Sequence, residues 1–169
     1  MDKIETLAQL RENLIDDIEL RHTNRLNIAL ENLENDVVKL ANSLPLQNNK
    51  LFETRIAIEI RPKLKALIDK HYLLWADGTV REYDKVAKQI VDNMKVLPIG
   101  ENFKTLTELD IETITNLKRV KFTGFLNIAT ETTNALADEI YQSTISGKPI
   151  EDTVKTLQHK INGVYIKAD

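Results

Sequence analysis

Cysteine is absent from this chain of 169 residues. That excludes a disulfide scaffold, a thiolate zinc site and a cysteine nucleophile. With 4 Pro and 5 Gly, the chain has too few turn formers for a sandwich or barrel. The glycines stand far apart, at 78, 100, 124, 147 and 163, and form neither a phosphate-cradling loop nor a Gly-x-Ser-x-Gly elbow. Apolar runs are short, such as Leu73-Leu74-Trp75-Ala76, whereas a spanning helix needs about 20 predominantly apolar residues. The opening residues Asp2, Lys3 and Glu5 lack the basic start and apolar run of a signal peptide. A soluble, intracellular chain without membrane contact is the expectation. Excess positive charge is missing too. Lys plus Arg number 23 against 26 Asp plus Glu, a net charge of −3, so no global field draws the chain to nucleic acid.

What remains is helical. The first forty residues contain neither Gly nor Pro. Ile4, Leu7, Leu14 and Ile18 follow a seven-residue pattern that Arg11 interrupts, and Leu26, Leu30, Leu33, Val37, Leu40 and Leu44 then step by four and three. That is the a/d spacing of a helix–helix seam. The phase slips by one residue between Ile18 and Leu26. A helix over 3–42 would be about 60 Å long, against roughly 30 Å for a compact domain of this size. It must break near Arg21–Arg25 or project as an arm whose stripe another chain covers.

Pro45 stops this helix and Ser43–Lys50 reads as a connection. Phe52, Ile56, Ile60, Leu64, Leu67, His71 and Leu74 predict a helix over about 51–76, kinked or restarted at Pro62 and ended by Asp77-Gly78. Thr79 is the expected N-cap of a third helix faced by Val80, Tyr83, Val86, Ala87, Ile90, Val91 and Met94. Pro98 and Gly100 mark the longest break, about 95–105, and divide the chain into 1–95 and 96–169. A fourth helix opens near Thr107 and closes at Ser146-Gly147. Pro149, Glu151 and Asp152 start a fifth, with Ile150, Val154, Leu157 and Ile161 inward, Gly163 as C-cap and a few extended residues at 164–166. The expected fold is all-α, an elongated bundle of about five helices with a long N-terminal helix.

Chemistry-bearing residues do not cluster in sequence. His22, His71 and His159 fall in three different helices, and only Glu19–His22 has the Glu-x-x-His spacing of which a di-iron bundle needs two copies. No catalytic, metal or cofactor site is expected, and a helical enzyme or metal carrier ranks last. Two basic clusters, Lys118-Arg119-Lys121 and Arg55-Arg61-Lys63-Lys65, read as solvated helix faces, with contact to a phosphate backbone as the functional alternative. Gly124 inside the fourth helix is read as marking a close helix approach. Trp75, the only tryptophan, reads either as core or as an interface anchor.

The run Ala135-Leu136-Ala137-Asp138-Glu139-Ile140, the turn Ser146-Gly147-Lys148-Pro149-Ile150-Glu151-Asp152, and Val154 and Leu157 resemble the helix–Gly-turn–helix of Mu F-like phage minor head (head morphogenesis) proteins. Ile128-Ala129-Thr130-Glu131-Thr132 is similar to a stretch that follows the turn in that family and precedes it here. The resemblance implies a structural virion protein in the head interior or at the portal vertex, present in the host cytoplasm during assembly. Its implied partners are portal or capsid protein, with non-specific contact to packaged DNA, and no small-molecule substrate is expected. The seam adds copies of the chain itself as partners. The seam residues Leu26, Leu30, Leu33, Val37, Leu40 and Leu44, with Trp75, are the expected protein interface. The alternative is a small helical adaptor or regulatory protein holding a partner helix in a groove.

Overall fold

The computed structural model describes residues 3–94 and 102–168. They form an all-α protein with one small hairpin: α1 (Lys3–Asn42), β1 (Leu46–Gln47), β2 (Lys50–Leu51), α2 (Arg55–Ile68), a π-helical turn (Asp69–Leu73), α3 (Leu74–Met94), α4 (Asn102–Ser146) and α5 (Ile150–Ala168). The chain divides into two compact units, Met1–Arg25 with Ala76–Gly124, and Leu26–Trp75 with Phe125–Asp169. Neither matches the expected halves 1–95 and 96–169, because each unit draws on both. The expected break at Pro98 and Gly100 lies outside the described residues.

Helix α1 does not break at Arg21–Arg25. Its buried side chains are Ile18, His22, Leu26, Leu30, Leu33, Val37 and Ala41, with His22 occupying the position where the phase slips. The stripe expected to need another chain is covered by this one. Leu26, Leu30, Leu33 and Val37 are only 1–4% exposed, while Leu40 and Leu44 are half-buried. Full burial of each such side chain contributes roughly 1.5–3 kcal/mol, so these four seam residues are core.

The connection after α1 is a hairpin that the sequence reading missed. Asn48 and Asn49 both have positive φ, 50° and 62°, the left-handed pair a tight two-residue turn requires. Leu46 pairs with Leu51 and Gln47 with Lys50. The hairpin tip meets the start of α5, where the Ile150 amide donates to the Asn49 carbonyl at 3.0 Å. That contact satisfies a helix N-terminal amide that has no partner within its helix.

From Ile56 to Val80 a buried residue recurs at every fourth position: Ile56, Ile60, Leu64, Ile68, Tyr72, Ala76 and Val80. Four residues advance an α-helix by about 400°, an overshoot of about 40° per step. The wider π turn at Asp69–Leu73 absorbs an extra residue and returns the stripe inward. It overturns the expected course of the stripe. Leu67 and His71 are half-buried and Leu74 is 69% exposed, while Ile68 and Tyr72 lie inside. Asp77-Gly78 therefore ends nothing, and Thr79 is an interior residue of α3, not its cap. Pro62 stands inside α2, which begins at Arg55, so Phe52 precedes the helix and is 46% exposed.

Trp75 is half-buried and packs on Tyr72 and Phe125, with ring centroids 5.7 and 5.2 Å away. It belongs to an internal aromatic cluster. The Tyr72 hydroxyl in that cluster is buried with no hydrogen-bond partner, and burial pushes its pKa up.

Helix α4 buries Phe125, Ala129, Leu136, Ala137 and Ile140 together with Thr132, Thr133, Ser143 and Thr144. The threonines fit because their hydroxyls donate to the carbonyl four residues back: Thr132 to Ile128 at 2.7 Å, Thr133 to Ala129 at 2.9 Å and Thr144 to Ile140 at 2.7 Å. Gly147 follows with φ 64°. The Lys148 amide donates to the Ser143 carbonyl at 3.0 Å, the bond pattern that closes a helix on a left-handed glycine. Helix α5 continues through Gly163 to Ala168, so neither the expected cap nor the expected extended residues at 164–166 are present. Its inward set includes Thr153, fully buried, while Val154 is half-buried.

Gly124 lies in the interior of α4, and a Cβ added there would meet nothing within 4 Å. The close approach expected of it is not made within this chain. Gly124→Ala should therefore raise stability by about 1 kcal/mol. Tyr72→Phe, which removes an unsatisfied hydroxyl, should also stabilise by about 1 kcal/mol. Thermal melts of the two variants against wild type check both.

Candidate functional site

Three places hold the chemistry-bearing side chains, one in the first unit and two in the second. In the first unit, Glu82 of α3 faces the residues at the phase slip of α1. Arg25 Nη1 donates to it at 3.0 Å, Arg21 Nη1 stands at 3.4 Å and His22 Nε2 at 3.4 Å. His22 Nδ1 lies 3.2 Å from the Thr79 hydroxyl, and its ring stacks on Tyr83 at 6.0 Å. Burial lowers the His22 pKa. The Glu82 carboxylate opposes that shift, while Arg25 and Arg21 reinforce it. Tyr83 is raised, first by burial and then by the Glu19 carboxylate. Glu19, the one residue with di-iron spacing, is exposed on α1. The true carboxylate partner of His22 comes from α3, a convergence no local spacing announces.

In the second unit, Asp36 of α1 receives His71 Nε2 at 2.8 Å and Lys70 Nζ at 3.0 Å, both from the π turn. The His71 hydrogen bond first, then that of Lys70, holds the Asp36 carboxyl down at about 2. An Asp–His pair can orient a general base, but that requires a nucleophile on the imidazole's other nitrogen. Asp36 is the only side-chain partner of His71 among the described residues. The pair ties α1 to the π turn. His159 is exposed on α5.

A groove of about 590 Å³ runs between α2 and α4, lined by Arg61, Pro62, Leu73, Leu126, Ala129 and Thr133 among others. Its polar groups are engaged internally. Arg61 donates to Asn134 and reaches Asp138 at 3.9 Å, Lys65 pairs with Asp69, and the Thr133 hydroxyl is held by Ala129. The groove can take an apolar group but orients no reacting atom. With Arg55 joined to Glu59 at 2.9 Å, three of the four residues of one basic cluster are paired, and Lys63 is exposed. In the other cluster Lys118 is tied to Asp84, and Arg119 and Lys121 point to solvent.

Of the expected interface residues, Leu26, Leu30, Leu33 and Val37 are core, and Leu40, Leu44 and Trp75 are half-buried. Among the described residues no group of three or more His, Asp or Glu could hold a metal ion, and no helix is long and apolar enough to cross a membrane.

The lowered carboxyl of Asp36 stabilises the fold fully above pH 3.8 and progressively less as pH falls toward 2, because the unfolded chain takes up the proton first. Asp36→Asn should melt below wild type at neutral pH, and the gap should close across that acid window. His22 has the same sign at higher pH: its lowered pKa costs stability as pH falls below 6.5. Melts across both windows check these signs.

Comparison with protein-family models, with curated proteins and with solved structures finds no match.

Proposed function

We propose that this chain is a structural component of a phage head, of the Mu F-like minor head kind. In this reading it works through helix–helix contacts with portal or capsid protein, or with copies of itself, and not by catalysis. The observation that carries the reading is the turn between α4 and α5, which lies in the segment that bears the resemblance. Gly147 takes the left-handed conformation the turn needs. Lys148 Nζ clamps the turn by donating to Glu139 at 2.9 Å and to Thr156 at 2.8 Å. Glu139 also accepts from Ser143 at 3.1 Å. The turn is thus a fixed corner on which a neighbouring protein could register. The histidines and carboxylates of α1 further support the reading, since they tie helices together instead of converging on an open cavity.

The groove between α2 and α4 favours a second reading. Its apolar floor suits a side chain from a partner helix, as in a small adaptor.

Mass spectrometry of gradient-purified particles tests the first reading. The chain should co-purify with the head at a fixed ratio to portal protein and resist protease until the head is opened. Recovery only from the soluble fraction, bound to a non-virion protein, overturns the virion reading in favour of the adaptor.

A further inference from the structure

Within the first unit, α4 carries apolar side chains that stay exposed. Leu117 and Val120 are 59% and 65% exposed. They stand three residues apart, and Gly124 follows four further on, so the three share one side of the helix. Alanine is the better residue in an exposed helix interior, and no neighbour among the described residues requires glycine at 124. An open glycine beside apolar side chains lets a second backbone approach closely.

The charge around this face is mostly basic. From Thr113 to Gly124 the sequence holds Lys118, Arg119 and Lys121 and no acidic residue. Lys118 is tied to Asp84, whereas Arg119 and Lys121 are exposed and make no side-chain ion pair among the described residues. At about 100° per residue they flank Val120 on either side.

The same unit carries the opposite pattern on α1. Residues 11–21 hold Glu12, Asp16, Asp17 and Glu19 against Arg11 and Arg21, an acidic excess. Leu20 among them is 64% exposed. Asp16 and Asp17 lie four and three residues before it, on its own side of the helix. Arg21 follows Leu20, with its Nε on the Asp17 carbonyl, so the acidic character beside Leu20 rests on Asp16 and Asp17, opposite in sign to the exposed Arg119 and Lys121. Both faces belong to one chain, so a second copy supplies the partner to each.

We propose that the Leu117–Val120–Gly124 face of α4 in one copy receives the Leu20 face of α1 from a second copy, with Asp16 and Asp17 set against Arg119 and Lys121. The contact uses none of the buried α1 seam and does not depend on the virion reading.

Light scattering on the full chain at sub-millimolar concentration and low salt tests it. The expected mass is a multiple of the 19.3 kDa monomer. Val120→Asp and Leu20→Asp should each weaken association by about tenfold or more, as for truncation of a central contact, with helical content unchanged because both sites are exposed. Lys121→Glu should weaken it and Asp17→Lys on the same chain should restore it. Gly124→Leu should weaken association without lowering the melting temperature of the monomer. A monomeric mass throughout, association indifferent to Val120→Asp and Leu20→Asp, or failure of the charge exchange to restore it overturns the proposal. A monomer would leave the virion reading standing, because that reading is tested on particles.

Discussion

The side chains from Ile18 to Ala41 must be kept from water, and this chain keeps them there with its own helices. Much else follows from that requirement. The stripe recurs at four-residue steps from Ile18 to Leu30, with His22 between two aliphatic residues. A histidine there must come with partners, since an unpaired polar group in such a position costs free energy. Thr79 and Glu82 supply them from α3, and Arg21 and Arg25 close around the same carboxylate. Farther along α1, Asp36 plays the reciprocal part for His71 and Lys70. The polar residues of α1 thus fix which later residues pack beside it.

A second consequence is the way polar atoms are buried. Helix α4 takes four hydroxyl-bearing residues inside. Its three threonines donate to carbonyls of the same helix, and Ser143 donates to Glu139. Each of these hydroxyls spends its one donor hydrogen within α4. Tyr72 is the exception, enclosed among rings with its hydroxyl unmatched. The groove beside α2 repeats the rule, because its arginine and lysine are both held by neighbours.

Helix content and the bounds of α1 were legible from the sequence because long periodic runs without Gly or Pro admit little else. The course of the residues around Leu67–Leu74 was not. A template of 3.6 residues selects Leu67, His71 and Leu74, but the apolar positions recur every fourth residue to Val80, and only a widened turn satisfies that period. The signal in the sequence is a run of unbroken fours from Phe52 to Val80. The hairpin at Asn48-Asn49 was legible in the same way, since adjacent asparagines tolerate positive φ better than most residues. The His22–Glu82 and Asp36–His71 pairs were not legible, because their members are 60 and 35 residues apart and only packing joins them. The fate of the leucine seam turned on the same question. Its spacing states that something must cover it, and spacing cannot say whether the cover comes from the same molecule.

Each compact unit is stitched from two separate stretches of chain, Met1–Arg25 with Ala76–Gly124 and Leu26–Trp75 with Phe125–Asp169. A polypeptide emerging from the ribosome therefore exposes the leucines of α1 well before the segments that complete either unit have been made. Neither 1–95 nor 96–169 would make an autonomous fragment, since a cut there severs both units at once. Vectorial synthesis delivers the second stretch of the Met1–Arg25 unit first, so that unit can close while the other still awaits α5.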